Sequence, residues 1–347
     1  MSTDPDRPSA DPSRPEVVEG DAGVARAAEL IRAGGLVAFP TETVYGLGAD
    51  ATDPVAVARI FTAKGRPSDH PLIVHLGDAD LVEAWADVVP PEAHLLADAF
   101  WPGPLTMLLW RSPKAPDAVT GGRDTVGLRV PDHPLALRLL QAVGDGVAAP
   151  SANRFGRVSP TTAADVVADL GDAVDLVLDG GPCLVGVEST IVDLTGDVPV
   201  VLRPGGVGLD RLADVLGREP AVHQGVAPER SARAPGMLAA HYAPRARVVV
   251  AEATSVAEIS AELLARGEGR VGVLAPTVTD GRADGIVELE PAGGPEEYAR
   301  LLYGRLRQAD RLSFSWLVCV PPPARGVGVA VRDRLTRAAA AGVSPSP

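Results

Sequence analysis

Leu36-Val37-Ala38-Phe39-Pro40-Thr41-Glu42-Thr43-Val44-Tyr45-Gly46-Leu47-Gly48 is the stretch that decides how this chain reads. Four apolar residues run into hydroxyls, one carboxylate and two glycines, the pattern of a short buried strand (36–39) opening into a loop. Loops at strand ends are where α/β proteins hold small molecules. Upstream, residues 22–33 place apolar side chains at helical spacing, and Gly34-Gly35 stops that helix. Downstream, Asp53-Pro54 supplies an N-cap acid and a first-turn proline for a helix that runs to about residue 63 and ends at Gly65.

The pattern continues in the same style. Residues 72–76, 105–110, 125–130 and 147–149 read as strands; 79–87, 91–100 and 133–143 read as helices. Thr195-Gly196-Asp197 between apolar runs at 191–194 and 198–202 is a hairpin signal. Mixed strands and helices in this order predict an α/β domain with a twisted mixed sheet over residues 21–214. Residues 1–20, acidic and proline-rich without apolar periodicity, are expected to be a disordered tail. Residues 215–246 are rich in Gly, Pro, Ala, Arg and His, and predict a linker too long for a plain connection. From 247 to 345, alternating strands and helices predict a small Rossmann-like, doubly wound domain.

Composition narrows the function classes. With 347 residues, 46% of them hydrophobic, the chain can bury a sizeable core. A formal net charge of -13 argues against a broad basic face, so stable nucleic-acid binding is not expected. No run of about 18 apolar residues and no basic-then-apolar leader is visible, so a soluble cytoplasmic protein away from membranes is expected. Cys183 and Cys319 sit among apolar residues in no metal-ligand spacing and read as buried small hydrophobes.

The candidate chemistry is basic and hydroxylic. Of 32 basic residues only two are lysines, so Lys64 stands out as a choice of compact ammonium over guanidinium. Lys64 and Arg66 follow a helix, while Arg129 and Arg203 end strands beside Gly and Pro turns. Singly, each is a solvated surface charge; together they favour a pocket for a carboxylate or polyanion. Pro150-Ser151-Ala152-Asn153, Ser159-Pro160-Thr161-Thr162 and Glu188-Ser189-Thr190 present hydroxyls at element starts, as caps or as ligand contacts. His75, at the end of a buried strand, reads by itself as a core or rim histidine. No Ser/His/Asp order or carboxylate pair points to hydrolysis. Positioning and charge neutralisation, as in nucleotidyl transfer, fit the inventory better.

Taken together, the 40–48 segment, Lys64-Gly65-Arg66-Pro67, Pro71-Leu72-Ile73-Val74-His75 and Pro150-Ser151-Ala152-Asn153 resemble the YrdC-like family of threonylcarbamoyl-AMP synthases. The resemblance covers nearly all the chain beyond the tail. Residues 247–345 look like the extra domain of its longer members, and Ala234-Pro235-Gly236-Met237 with His241-Tyr242-Ala243-Pro244 looks like their connecting loop. It implies an enzyme that combines L-threonine, bicarbonate and ATP into threonylcarbamoyl-AMP and pyrophosphate, with Mg²⁺ accompanying ATP. Partner proteins would then transfer the threonylcarbamoyl group to tRNA. The same resemblance implies that Thr43, His75, Arg129 and Ser189, with the main chain at Ala149, hold L-threonine. Arg66, His70, Thr125, Ser151, Ser159, Arg203 and Tyr242 would contact ATP, and Lys64 with Arg66 would stabilise the departing pyrophosphate. Tyr242 would make residues 215–246 a lid. Two departures from the family pattern, His70 in place of the commoner Asn and Arg154-Phe155-Gly156 in place of a small-residue turn, predict a reshaped adenine-side loop. An RNA-binding module of the same fold is the alternative, opposed by the net charge. A carbamoyl-phosphate-using relative is opposed by the absence of any CxxC pair.

Overall fold

The computed structural model describes residues 15–223, 235, 241–278 and 285–341. Most predicted elements form within a residue or two of expectation. Asp53 accepts a 2.8 Å hydrogen bond from the Val55 amide and caps helix Pro54–Lys64, which Gly65 ends in the left-handed region at φ 63°. The hairpin signal at 195–197 joins the antiparallel strands Thr190–Asp193 and Val200–Arg203.

Among the described residues, twelve strands form one mixed sheet. Its order from one edge is Glu16–Glu19, Leu176–Asp179, Val37–Phe39, Gly46–Asp50, Val147–Ala148, Ile73–His75, Thr125–Arg129, Leu105–Arg111, Thr190–Asp193, Val200–Arg203 and Ala221–Val222. Ala86–Val88 pairs with Leu105–Arg111. Helices Gly20–Arg32 and Pro134–Val143 bury Val24, Ile31, Leu139 and Leu140 against one face. On the other, Ile60, Leu96, Val166 and Leu212 of four further helices join the main core.

Four expectations are corrected. The tail ends earlier: Glu16–Glu19 pairs in parallel with Leu176–Asp179, and a helix begins at Gly20, while residues 1–14 lie outside the described residues. Residues 215–222, assigned to the linker, finish helix Leu209–Leu216 and form Ala221–Val222, which pairs with Val200–Val201. The helix expected to reach residue 87 stops at Trp85, because Ala86–Val88 is recruited as an edge strand. Gly46–Asp50, read as loop, is a central strand. Its glycines are a packing requirement: a Cβ on Gly48 would meet Phe39 Cε1 at 2.8 Å and Val147 Cγ1 at 2.9 Å. Leu176–Asp179 and Ile286–Glu288 are further strands that sequence reading missed.

The C-terminal unit is a parallel sheet ordered Arg247–Val250, Phe314–Cys319, Arg270–Leu274, Ile286–Glu288. Helices Val256–Ala265, Pro295–Arg311 and Gly328–Ala341 accompany it. Apolar clusters on its two faces give the expected doubly wound character. One cluster continues into the first unit through Val44, Val158 and Val187. Arg307 extends the contact with a 2.7 Å ion pair to Asp169 and a 2.6 Å bond to the Val158 carbonyl. Cys183 and Cys319 are buried and free, as expected. Among the described residues no helix is long and apolar enough to cross a membrane.

The Arg203-Pro204-Gly205-Gly206 turn packs directly on the chain entering Thr190–Asp193. A Cβ on Gly205 would lie 2.3 Å from the Ser189 carbonyl carbon and from the Thr190 amide nitrogen. Gly304, inside helix Pro295–Arg311, faces nothing within 4 Å. Gly205→Ala is therefore expected to cost roughly 1–3 kcal/mol or more. Gly304→Ala should be neutral or add up to about 1 kcal/mol. Chemical denaturation of both variants checks the pair of signs.

Candidate active site

The strands that carry the candidate residues end together. Ile73–His75 and Thr125–Arg129 pair in parallel, with His75 opposite Arg129. The segment 40–45 folds over this rim through Thr41. Thr41 Oγ1 donates to the Val44 carbonyl at 2.7 Å and accepts from the Thr43 and Val44 amides at 3.2 Å. That turn delivers Thr43 Oγ1 to Arg129, whose Nη2 donates to it at 3.0 Å and to Glu42 Oε1 at 2.7 Å. Arg129 Nε donates to the Gly103 carbonyl at 3.2 Å. These bonds engage Nε and Nη2 and leave Nη1 for a ligand.

Arg203 comes from the neighbouring strand end. Its Nε and Nη2 donate to the Ser189 carbonyl at 3.1 and 2.8 Å, and Nη2 reaches Ser189 Oγ at 3.1 Å. Thr106 and Ser189 share a 2.7 Å hydroxyl contact. Arg203 Nη1 donates at 3.1 Å to the carbonyl of Pro235, tying the connecting segment to the pocket. Arg66 donates Nη2 to the Pro71 carbonyl at 3.0 Å and lies over the Phe155 ring, 5.8 Å from its centroid.

These groups line one cavity of about 50 Å³. All five residues expected to hold the amino acid (Thr43, His75, Arg129, Ala149 and Ser189) line it. So do Arg66, Ser151, Arg203 and Tyr242 from the nucleotide set. One water needs roughly 10–15 Å³ of such space. By that measure the cavity has room for a few waters.

Four expected residues do not line the cavity. Ser159, fully buried, donates Oγ to Glu188 Oε1 at 2.7 Å. His70 packs on Phe155, with ring centroids 5.5 Å apart. The two departures from the family pattern thus touch each other. Thr125 starts the strand that Arg129 ends, about 13 Å away at the usual rise per residue. Lys64 departs most from expectation. It is buried, and its ammonium donates to the carbonyls of Ser151 and, at 2.6 Å, Asn153. In this structure it buttresses the Ser151–Asn153 turn instead of facing the cavity.

Other functional candidates escaped sequence reading. Glu42 was visible in the motif but was assigned no role; its pairing with a strand-end arginine needs the fold. Glu188 was read with Ser189 and Thr190 as turn chemistry or ligand contact, without the ion pair to Arg334 that the fold gives it. His241 lines the cavity although its sequence context showed only a linker.

Burial dominates the electrostatics. It lowers His75 to about 3, helped by the Arg129 charge, and lowers His241 to about 3. Burial also lowers Arg66 to about 10, with Arg203 adding repulsion, and lowers Lys64 well below its usual value. For Glu188, burial would raise the carboxyl, but Arg334 and Arg203 hold it down to about 2. Nδ1 of His75, Nδ1 of His241, Nε of Arg66 and Oε2 of Glu42 are buried without a protein partner. Buried polar atoms are normally satisfied, so the three of these on His75, His241 and Arg66, which line one cavity, mark a ligand site. Arg66, Arg129 and Arg203 outnumber the nearby carboxylates Glu42 and Glu188, and Glu188 is already neutralised by Arg334. The surplus is positive and calls for an anion.

A family model described as Telomere recombination (Sua5_yciO_yrdC) matches residues 29–205, and a Threonylcarbamoyl-AMP synthase C-terminal domain model matches residues 207–340. A threonylcarbamoyl-AMP synthase of Pyrococcus abyssi is 44% identical over 320 residues, covering 90% of this chain and 92% of that protein. A threonylcarbamoyl-AMP synthase of Bacillus subtilis is 41% identical over 333 residues, covering 93% and 95%. The crystal structure of P. abyssi Sua5 complexed with L-threonine superposes with a TM-score of 0.87 at 41% identity, covering 94% of this chain and 98% of that one. This chain belongs to the threonylcarbamoyl-AMP synthase family, in the form that carries the additional C-terminal domain.

Two measurements test the site as an electrostatic unit. Lys64→Ala leaves two carbonyls short of a donor, so it should cost about 1–3 kcal/mol of stability. A melting temperature equal to wild type would show that the two carbonyls do not depend on Lys64 for stability. The second concerns acid. His75 and His241 stay neutral in the fold down to about pH 3. The unfolded chain protonates them near 6.5, so it binds more protons across that window. Stability is therefore retained above about pH 6.5 and falls as pH drops toward 3, by up to about 2–3 kcal/mol per pH unit for two protons. Glu188, held at about 2, adds loss of the same sign below its unfolded value of 4.5. Urea titrations at pH 8, 6.5 and 5 should show this decline, and the His75→Gln/His241→Gln pair should flatten it.

Proposed function

We propose that this chain is an L-threonylcarbamoyladenylate synthase, and that the cavity binds L-threonine beside the triphosphate of ATP. The observation that carries the reading is the positive surplus of the buried Arg129 and Arg203 and the half-buried Arg66 around the unsatisfied His75 Nδ1. Arg129 Nη1 would take the amino-acid carboxylate, a geometry suited to planar recognition. Ser189 Oγ, held between Thr106 and Arg203, and Thr43 Oγ1, held by Thr41, would read the substrate hydroxyl. His75, neutral in the fold, has a lone pair that would accept a hydrogen bond from the bound amine. The main chain at Ala149 closes that side.

The free amine would form a C–N bond to CO₂, releasing one N–H proton to solvent, or to bicarbonate with loss of one water, and either route gives the carbamate. A carbamate oxygen then forms a bond to the α-phosphorus of ATP. The bond from that phosphorus to the bridging oxygen breaks, and pyrophosphate departs with the electron pair. Arg66 and Arg203 neutralise the charge that moves onto the leaving group. Lys64 contributes by holding the Ser151–Asn153 turn in place. His70 and Phe155 would shape the adenine side, Ser151 would contact ATP from the cavity wall, Ser159 would act through Glu188, to which its hydroxyl is bonded, and Thr125 would touch the nucleotide's far end.

Magnesium fits as a companion of the nucleotide. No three His, Cys, Asp or Glu side chains converge among the described residues. Glu188 is fully engaged, and Glu42 is paired to Arg129. The donors at hand suit phosphate oxygens, so Mg²⁺ would arrive on ATP as part of the substrate. We further propose that residues 223–246 are the lid and that they move aside to admit ATP. The product would pass to transferase proteins acting on tRNA, and work in the cytoplasm suits that role.

The assay is pyrophosphate release with ATP, bicarbonate and L-threonine. L-serine should be poorer by roughly 1–3 kcal/mol in kcat/KM for want of one methyl. Release that ignores the amino acid, or equal rates with both, rejects the reading.

A further inference from the structure

The deepest charge in the molecule lies outside the pocket. Arg334, on helix Gly328–Ala341, is 0% exposed. Its Nε donates to Glu188 Oε2 at 2.8 Å, and its Nη2 donates to the Pro204 carbonyl at 3.1 Å. Its guanidinium lies 4.9 Å from the centre of the Tyr242 ring. Tyr303, on helix Pro295–Arg311, stacks on the same ring at 5.8 Å and 24° and donates its hydroxyl to the Glu188 carboxylate at 2.7–2.9 Å. Glu188 stands beside Ser189, and Pro204 beside Arg203. Two residues of the C-terminal domain therefore hold the neighbours of two pocket residues and pack against the Tyr242 ring, which His241 also meets at 4.2 Å.

Adhesion between the domains does not require this. Val44, Val158 and Val187 already join an apolar cluster with Leu302, Leu306 and Leu335. A buried ion pair costs desolvation that well-packed apolar side chains would avoid, and what it adds is orientation. Tyr242 needs such support. Its φ of 63° is a left-handed conformation that a tyrosine keeps only when its surroundings impose it.

We propose that Arg334 and Tyr303 are positioning residues for the nucleotide side of the site, acting through Glu188 and the Tyr242 ring, both of which line the cavity. The C-terminal domain is then part of the catalytic apparatus without touching substrate. The proposal rests on reading the cavity as the synthase site.

The test uses the full chain. Pyrophosphate release is measured against ATP and against L-threonine for Arg334→Met, Arg334→Lys, Tyr303→Phe and Tyr242→Ala, with ATP dissociation constants by calorimetry and melting temperatures on the same samples. Arg334→Met should raise KM for ATP about tenfold and move KM for threonine by less than about threefold. Arg334→Lys, which keeps the charge but loses the flat face, should fall between. In a Tyr242→Ala background the Arg334→Met effect on ATP should shrink below about twofold, because both act through one ring. A folded Arg334→Met with wild-type KM for ATP and only a lower melting temperature would make the residue merely structural and overturn the proposal. So would an undiminished effect in the Tyr242→Ala background. If Arg334→Met does not fold, Arg334→Lys and Tyr303→Phe decide, and unchanged ATP affinity in both rejects the proposal. Failure of the synthase reading looks different: wild type would release no pyrophosphate, while the ATP dissociation constants would still test the positioning.

Discussion

Two buried guanidiniums, Arg129 and Arg203, and the half-buried Arg66 surround a cavity of about 50 Å³, and much of the surrounding structure serves to make that tolerable. Moving a charge from water into a protein interior is among the costliest steps in folding. Arg129 is offset by Glu42, and by carbonyl and hydroxyl acceptors. Arg203 is offset by the Ser189 and Pro235 carbonyls. The compensation stops short of neutrality, which is what a site for a carboxylate and a triphosphate requires. A charge already cancelled by the protein would have little left for the ligand.

That constraint explains where the donors come from. Strand ends supply arginines whose side chains turn inward at the rim of the sheet. Tight turns then supply carbonyls without adding competing carboxylates. The Thr41 turn, the Arg203–Gly206 turn and the Ser151–Asn153 turn all do this. Lys64 belongs to the same scheme in an unexpected place. Its ammonium is spent on two carbonyls of the third turn. It contributes to the site through the backbone it holds, and that role accounts for a compact, straight-chain cation at the position.

The C-terminal domain meets the same network from behind. Glu188 is shared between Ser159 of the first unit and Tyr303 and Arg334 of the second. Tyr242 lies between the two as a buried ring in a left-handed backbone conformation. The Tyr242 ring is thus held by Arg334 and Tyr303 of the second unit while it lines the cavity of the first.

Local chemistry was legible in the sequence. The cap at Asp53, the hairpin at Thr195–Asp197, the alternation of strands and helices, and the strand-end arginines are decided by neighbours a few residues apart. Family resemblance supplied roles that such signals cannot, and all five residues assigned to the amino acid meet at one cavity. The tertiary structure decided what depends on distant partners. Gly46–Asp50 becomes a strand because Phe39 and Val147 fill the space its glycines leave. Lys64 turns inward because Ser151 and Asn153, almost ninety residues on, present their carbonyls to it. Arg334 meets Glu188 across 146 residues and two domains. No window of sequence contains both ends of such a pair, and the energy that fixes them, burial of charge against a specific acceptor, exists only once the chain has folded.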